Sequence, residues 1–582
     1  MPTATPILDP RVPARDPDQC TDRYADLLTG TYDCVDRIIL RAYHSLGGSP
    51  GGFRFWWRQL MGGEDTLDDA HLMRLAGRFA RRVRGWAKAN GVPVIDCGRG
   101  ERKHRIAEDY LSAHGPTPGV FLILVARAQA TVYEVRRSAT GVIYDIRKKR
   151  AFVNHYSFHI WDEAVGHLTI KMSGHPPFGA QVMLNGHELV ARAAQAAGLS
   201  FRKEGNCFTT ITDPGALAQL ADTLADPAAA GRLREICERW IYSACLVFGL
   251  DRAEQERSGF RYDYAAYQVE YSRNLLFRRG DQMEEVFQGL VDRNRGALDL
   301  RSVRTIFGKS RHALDAEGAS RVTSELSRGA AYGLTVFKLH FGKLTFKAYT
   351  KGERVLRFEA IAHDTRELHC GRVISRFGEI VGRLRAILER ALGVLRGMER
   401  AFVSDETLDA LPRPSTVGKT RVGGIDISRP RMRTVLTAVL ALASAPAGFT
   451  AGELAARVRE LGGPALAGYD ARRAAYDLKK LRGKGFIARL EHSHRYELLP
   501  AGVPTIAALV LIREKVLRPL LAAAVHPPSA PIRVKPGHKR SFWERADYGY
   551  QRFRRDMERL FRELHIVPPN RQSFADVAFA SA

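Results

Sequence analysis

The chain has 582 residues, of which 45% are hydrophobic and 9% aromatic, so packed domains are expected and a wholly disordered chain is excluded. Lysine and arginine number 89 against 63 aspartates and glutamates, a formal net charge of +26. A chain this basic is expected to meet an anionic partner, most commonly nucleic acid.

The cysteines and the apolar segments indicate the compartment. The 7 cysteines are scattered without a C-x-x-C pair, which argues against a disulfide framework and a zinc finger. The opening MPTATPILDPRVPARD does not match a secretory signal, and the longest apolar runs are too short and too interrupted to span a bilayer. We therefore expect a cytoplasmic protein without membrane association.

Apolar periodicity and the positions of glycine and proline predict an α+β multidomain protein: a mixed α/β N-terminal body, central helices with a small β-sheet, and a C-terminal winged helix. The predicted segments are a flexible tail (1–20), a mixed α/β domain (21–225), a helical region with a three-stranded β-patch and a long helix (226–403), a linker (404–430), a winged helix-turn-helix (431–525) and a basic aromatic tail (526–582).

The C-terminal region carries the most specific pattern. PRMRTVLTAVLALASAP and FTAGELAARVREL predict two helices, the second opened by a capping box of Thr450 and Glu453. YDARRAAYDLKKLRGKG predicts a third helix, and FIARLEHS with HRYELLP a hairpin. This order of elements resembles the recognition helix and wing of bacterial winged helix-turn-helix DNA-binding domains.

In that resemblance the third helix would turn a basic side toward DNA and an apolar side toward the core. The alternative is a solvated helix face in a protein–protein module. The predicted nucleic-acid-binding residues are Arg472, Arg473, Tyr476, Lys479, Lys480 and Lys484 on the helix, with His494 and Arg495 at the wing turn. The tail at 531–565 interleaves basic and aromatic residues, which suits phosphates and bases or an amphipathic helix docked on the body.

The stretch KLTFKAYTKGERVLRFE places Tyr349 and Lys351 on one predicted strand and Arg357 and Glu359 on the next. It resembles the strand pair Y-D-K…R-x-E of rolling-circle replication initiators, with Thr350 in place of the aspartate. The resemblance implies a DNA-nicking site in which a carboxylate holds a divalent metal and a tyrosine attacks phosphate. The alternative is an exposed hairpin with a cross-strand Lys/Glu pair.

Carboxylates distant in sequence can gather around a metal in nucleases and transposases. Asp36 at the head of a predicted strand, Glu134, Glu270 and Glu359 are of this type. The predicted catalytic set is Tyr349, Glu359, Glu270 and Asp36, with Mg²⁺ or Mn²⁺ as cofactor if the chain is an enzyme. A solvated or salt-bridged carboxylate is the alternative for each.

Three further patterns carry less information. Tyr267 and Tyr271 form Y-x-x-x-Y on a predicted helix, but the companion histidines His155 and His159 would lie about 13 Å apart on a strand, too far for one ion. RKKR at 147–150 predicts a basic loop between two strands. Asn185-Gly186 predicts a turn into a helix, and capping suffices to explain the neighbouring His187.

No P-loop occurs in the sequence, so ATP-driven function is not expected. The hydrolase motif G-x-S-x-G and the metalloprotease motif H-E-x-x-H do not occur either. The whole chain resembles a large bacterial family of uncharacterised proteins with an α/β body before a winged helix, which bears on domain order rather than chemistry. The predicted function is DNA binding in a mobile-element context, as a regulator or DNA-organising factor. The alternatives are a metal-dependent nicking replication initiator, nuclease or transposase-like enzyme, and an RNA-binding protein.

Overall fold

The structure is a computed structural model. It describes residues 24–98, 100–297, 322–328, 335–341, 343–399, 403, 405–443, 445, 447–490, 493–500, 502–511, 552 and 556. The predicted tails lie outside these residues, apart from positions 552 and 556. The chain divides into two units, the first made of residues 1–289 and 302–392, the second of residues 290–301 and 393–582.

The first unit is mixed α/β and is built on one sheet of eleven strands. The strands of this unit are β1 (Leu28–His44), β2 (Val94–Asp96), β3 (Gly119–Arg137), β4 (Ile143–Asp162), β5 (Gly166–Ser173), β6 (Ala180–Asn185), β7 (Phe201–Lys203), β8 (Phe208–Ile211), β9 (Tyr262–Phe277), β10 (Val322–Arg328), β11 (Thr335–Phe341), β12 (Leu344–Lys351) and β13 (Val355–Ala362). The helices that begin in it are α1 (Pro50–Met61), α2 (Asp69–Ala89), α3 (Lys103–His114), α4 (Gly186–Ala196), α5 (Pro214–Asp222), α6 (Pro227–Ala244), α7 (Arg252–Ser258), α8 (Gly280–Ala297) and α9 (Phe377–Glu399).

The strand order in the large sheet is β10-β11-β12-β13-β9-β1-β6-β5-β4-β3-β2. The pairing is antiparallel throughout the described strands except for β2 beside β3. The predicted three-stranded patch (β11 to β13) is therefore part of this sheet and not a separate small one. Strand β13 joins the patch to the rest of the sheet by pairing with β9. The other neighbour of β9 is β1, which is far from it in sequence.

The sequence YAAYQVEYSRNLLFRRGDQMEEVFQGLV predicts a helix over 264–291, which is wrong up to residue 277, because Tyr262–Phe277 forms the central strand β9. Almost every residue of its second half is buried, since the sheet is covered on both faces there. A continuous apolar run of this kind fits a buried strand and a buried helix equally well. The helix begins only at Gly280, so Tyr267 and Tyr271 lie on a strand.

Several predicted element boundaries also differ. The sequence predicts short strands at GVFLILVARA and TVYEVRR, and at GVIYDIRKKR and AFVNHYSFHIW. The first two form the single long strand β3 and the other two form β4, so RKKR (147–150) lies within β4 instead of in a loop. Asp36 lies in the middle of β1, not at the head of a strand. The predicted linker at 404–430 contains a short helix and a two-stranded hairpin.

Aromatic side chains from α1 and α2 form much of the core of the first unit. Phe53 stacks on Tyr133 with ring centroids 4.2 Å apart, and Trp56 meets His44 edge-on at 5.3 Å. On another part of the sheet, α9 buries a run of aliphatic residues, Ile380, Val381, Leu384, Ile387 and Leu388. Within the described part of the chain, no helix has the length and apolar character needed to cross a bilayer.

The second unit carries helices α10 (Asp405–Ala410), α11 (Pro430–Leu442), α12 (Ala451–Gly462), α13 (Ala471–Gly483) and α14 (Gly502–Leu511) and strands β14 (Ser415–Val417), β15 (Thr420–Val422), β16 (Phe449–Thr450), β17 (Ile487–Arg489) and β18 (Arg495–Leu498). Strands β16, β18 and β17 form a three-stranded sheet in that order. The predicted capping box is confirmed: the Glu453 amide donates to Thr450 Oγ1 at 3.1 Å, and the Thr450 amide donates to Glu453 Oε2 at 2.7 Å.

Phe79 on α2 gives a test of the packing. It is fully buried, and its ring lies 4.8 Å from Tyr156 and 6.1 Å from Phe248. Because truncation leaves a cavity, we expect Phe79→Ala to lower the free energy of unfolding of the first unit by about 3–5 kcal/mol, measured by urea unfolding. Met73 on the same helix is 62% exposed, and we expect Met73→Ala to change the free energy of unfolding by less than about 0.5 kcal/mol. Equal losses in both variants would contradict the packing of α2.

Candidate functional site

Polar side chains form aligned rows on one face of the central sheet. Directly opposite residues of neighbouring strands share a face, and one row runs across β1, β9, β13 and β12. Its members are Tyr32, Asn274, Arg357 and Tyr349. The next row along the same strands consists of Cys34, Ser272, Glu359 and Lys347. Such rows are unusual on strands whose other residues are mostly buried and apolar, which marks this face as a candidate site.

An ion pair lies at the centre of the polar face. The Arg357 guanidinium donates from Nη1 to Asp36 Oδ2 at 3.3 Å, and both side chains are 0% exposed. Arg357 Nε also donates to Asn274 Oδ1 at 2.6 Å, and Nη2 donates to the carbonyl oxygen of Asn206 at 2.5 Å. Three acceptors therefore surround the guanidinium, which is what a buried arginine needs to remain charged without water.

Asp36 lies in a β-bulge of β1, next to the position of this arginine. The register of β1 against β9 shifts between Val35 and Ile38, so two residues lie in the bulge and the strand bends. The first turn of α4 presses against the bulge, and a Cβ on Gly186 would collide with the carbonyl oxygen of Val35. Glycine at 186 thus permits the close approach that brings the next residue, His187, over Asp36.

His187 completes the buried centre. Its Nδ1 lies 2.7 Å from Asp36 Oδ1, and its Nε2 lies 3.4 Å from both the Tyr32 hydroxyl and Arg357 Nη2. Asn185 caps the helix by accepting from the His187 amide at 3.0 Å. Burial lowers the pKa of His187, so the ring is held neutral. Burial disfavours ionisation of Asp36, but Arg357 and His187 outweigh it and hold the pKa of Asp36 well below its usual range.

Glu359 is the second carboxyl group of the centre, and it behaves differently from Asp36. Burial raises its pKa to about 7, against the opposing effect of Lys347, and the negative charges of Asp36 and Glu270 add to the increase. Lys347 Nζ donates to Glu359 Oε2 at 3.1 Å, and the Tyr349 hydroxyl lies 3.5 Å from Oε1. A carboxyl group that exchanges its proton near neutral pH beside a hydroxyl can act as a general base or acid.

The metal-ligating capacity of the face differs between two groups of residues. Cys34, Asp36 and His187 offer one ligand atom each within 4.8 Å of one another, so this group could hold a metal ion. A thiolate and an imidazole suit Zn²⁺ better than Mg²⁺, which prefers oxygen ligands. The carboxylates expected to bind Mg²⁺ or Mn²⁺ are already paired with Arg357 and Lys347, with which a divalent ion would compete.

The four predicted catalytic residues share this region. Glu359 contacts Tyr349 directly, and the negative charges of Asp36 and Glu270 contribute to its raised pKa. Glu270 lies two positions along β9 from Ser272, which is directly opposite Glu359. Glu359 and Asp36 are fully buried, whereas Tyr349 and Glu270 are half-buried. The alternative of an exposed hairpin is wrong for Glu359, because this side chain is buried. The cross-strand Lys/Glu pair of that alternative is present, and it is formed by Lys347 and Glu359.

Other sequence candidates lie elsewhere. Glu134 forms ion pairs with Arg136 and Lys149 on the β3–β4 strands. Tyr271 faces away from the polar centre and bonds to Asp33 and Arg385, and Tyr267 lies under the Arg41 guanidinium. His155 and His159 are both buried on β4, and His159 contacts His167 at 3.1 Å.

Sequence reasoning missed His187 and did not select Arg357 or Lys347 as site residues. Arg357 and Lys347 alternate with apolar residues on strands predicted to be half exposed, so their burial gave no local signal. His187 is brought to Asp36 by the pairing of β6 with β1, a contact between segments about 150 residues apart.

In the second unit, the basic residues of α13 share one side of the helix. Arg472, Arg473, Tyr476 and Lys479 are exposed, Lys480 is half-buried over the Tyr476 ring, and the opposite side buries Ala474, Asp477, Leu478 and Leu481. Lys484 instead donates to the carbonyl oxygens of residues 410 and 413. Arg495 pairs with Glu453, while His494 is exposed beside Arg489.

Comparison of the chain with models of protein families, with curated proteins and with solved structures finds no match. The geometry and chemistry of the two units therefore carry the functional argument.

The pKa of Glu359 predicts how stability depends on pH. The folded protein keeps this proton up to about pH 7, whereas the unfolded chain releases it near 4.5. The folded state binds more protons between these values, so the free energy of unfolding contributed by Glu359 falls as pH rises through that window. Between pH 4.5 and 7, we expect the free energy of unfolding of the wild type to fall by on the order of 1–3 kcal/mol more than that of Glu359→Gln, measured by urea unfolding. The same pH dependence in both proteins would contradict the burial of a protonated Glu359.

Proposed function

We propose that the chain is a DNA-binding protein whose second unit is a winged helix that docks on duplex DNA. The element order α11, β16, α12, α13, β17, β18 and the sheet order β16-β18-β17 support this proposal, because a winged helix has its elements in the same order. In this arrangement α13 is the recognition helix and the β17–β18 hairpin is the wing. The observation that carries the proposal is the basic, exposed side of α13.

The side chains of α13 suit that role. Arg472, Tyr476 and Lys479 recur at three- and four-residue spacing and point away from the buried side of the helix. Arg482 is also exposed near the helix end. Guanidinium and ammonium groups on one side of a helix can reach phosphates and guanine edges in the major groove. The net charge of +26 supports an anionic partner of this kind.

Two predicted contact residues have structural roles instead in this proposal. Arg495 donates to Glu453 Oε2 at 3.0 Å and to the carbonyl oxygens of Ala447 and Gly448, which attaches the wing to the start of α12. Lys484 holds the end of α13 to the segment at 410–413. We therefore assign DNA contact to the exposed side of α13 and to His494 rather than to these two side chains.

Removing charge from α13 should weaken duplex binding. We expect the double variant Arg472→Ala/Lys479→Ala to bind a duplex at least about tenfold more weakly and to lower the slope of log K against log salt by about 2, because two phosphate contacts are lost. Fluorescence anisotropy with a labelled duplex over a salt series measures both quantities.

The control variant removes the same charge elsewhere. Arg234 and Arg252 are exposed and form surface pairs one helical turn from their partners. Arg234→Ala/Arg252→Ala should leave duplex affinity within about twofold of the wild type. Equal losses of duplex affinity in the two double variants would show that only net charge matters and would contradict the proposal. Tighter binding of structured RNA than of duplex DNA would favour the RNA-binding alternative.

A second candidate function is phosphodiester cleavage by the first unit, which the contact of Tyr349 with Glu359 favours. Glu359 would accept the proton of the Tyr349 hydroxyl, whose oxygen would attack phosphorus as the bond to a sugar oxygen breaks. The departing oxygen would take a proton from Glu359, leaving a tyrosyl phosphodiester and a free sugar hydroxyl. The half-buried Lys347 and Lys351 flank Tyr349 on β12 and would stabilise the phosphate.

The cleavage candidate also has a direct test. We expect Tyr349→Phe to abolish protein-linked DNA and Glu359→Gln to slow its formation by about 10²–10⁴-fold, while duplex affinity is kept. The measurement is a denaturing gel of labelled DNA with and without Mg²⁺ or Mn²⁺. The control Tyr43→Phe alters an exposed tyrosine near the end of β1 and should retain wild-type linkage. Unchanged linkage in Tyr349→Phe would remove Tyr349 as nucleophile.

A further inference from the structure

Strands β3 and β4 extend beyond the large sheet as a two-stranded ribbon. The pairing of β5 with β4 ends at His155, and that of β2 with β3 ends at Val125. From there to the turn after Arg137, β3 and β4 pair with each other, and no other described strand pairs with them. Here we call residues 126–137 and 143–154 the ribbon.

An aromatic ring lies in the open on one face of the ribbon. Phe152 is 60% exposed in the middle of a strand, and Gln129 lies directly opposite it. Arg127 and Arg150 are each two residues from this pair along their own strands, so all four side chains share one face. Asn154, opposite Arg127, is exposed on the same face.

The charges of this face remain available to a ligand. Arg127 Nη2 donates to the carbonyl oxygen of Phe152 at 3.2 Å, and Arg150 Nη2 donates to Gln129 Oε1 at 3.4 Å. Both acceptors are neutral, so neither guanidinium charge is compensated by them. The two contacts also hold the guanidinium groups beside the Phe152 ring.

A further basic group lies on this face. Lys148 precedes Arg150 by two positions on β4, is exposed, and donates to the carbonyl oxygen of Gly48. Basic groups beside an exposed ring can hold the phosphates that flank a stacked base.

We propose that this ribbon face binds single-stranded DNA, with one base stacked on Phe152 and the flanking phosphates on Arg127 and Arg150. Gln129 and Asn154 would hydrogen-bond the base edge. The base faces of a duplex are covered by their neighbours, so an exposed ring on a flat strand pair can stack only on an unpaired base. The choice of DNA rests on the proposed function of the second unit.

The test compares the full chain with Phe152→Ala in anisotropy with a labelled single-stranded oligothymidine. Stacking of a base on an aromatic side chain is worth about 1–3 kcal/mol, so the dissociation constant should rise about 5- to 150-fold, with duplex affinity unchanged. Phe152→Tyr keeps an aromatic ring and should restore wild-type affinity. Phe55→Ala, which removes another exposed phenyl group, this one on α1 with 50% exposure, should bind as the wild type.

The outcomes separate this proposal from that of the second unit. Loss of duplex binding in Arg472→Ala/Lys479→Ala with retained single-strand binding supports both. Full duplex binding in that variant contradicts the proposed function, whatever Phe152→Ala does. Unchanged oligothymidine binding in Phe152→Ala overturns the ribbon site, as does tighter binding of oligouridine of equal length.

Discussion

The buried ion pair of Asp36 and Arg357 is the constraint on which the first unit depends. It joins β1 to β13 across β9, and removing either partner would leave a charge in an interior without water, a cost of about 3–5 kcal/mol. Asp36 belongs to the β-bulge of β1, so the ion pair connects this irregular part of the strand to β13. Burial raises the pKa of the neighbouring Glu359 to about 7, and the charge of Asp36, which Arg357 holds ionised, adds to that increase.

The same constraint shapes what the site can do. Arg357 is enclosed and serves Asp36, Asn274 and Asn206, so it positions the centre and does not meet a ligand. The groups that can meet one are the half-buried Tyr349 and the lysines beside it on β12. In our proposal each unit presents its own basic surface to DNA: the exposed side of α13 for duplex and the ribbon face for single strands. A protein that binds both forms suits processes in which a duplex is locally opened.

Local sequence patterns and long-range pairing differed in how well they could be predicted. The Thr450–Glu453 capping box and helix α13 depend on neighbours within a few residues, and both were predicted. Strand β9 was predicted as a helix, because a segment buried on both faces loses the alternation that identifies a strand.

The candidate site was predicted only in part for a related reason. Tyr349 and Glu359 lie on adjacent strands and were selected because their segment resembles the strand pair of replication initiators. Asp36 and Glu270 were selected as carboxylates without evidence that they converge. Their convergence depends on the pairing of β1, β9 and β13, and the approach of His187 depends on the pairing of β6 with β1. These pairings join segments far apart in sequence, which residue types and spacing do not specify.

The most direct measurement is photocrosslinking of the full chain to a bromodeoxyuridine duplex, with the attached peptides identified by mass spectrometry. Our account predicts crosslinks within α13, at the exposed Tyr476 above all, because aromatic side chains near the base couple efficiently. Crosslinks confined to other segments, with duplex binding intact, would contradict the assignment of DNA recognition to this helix.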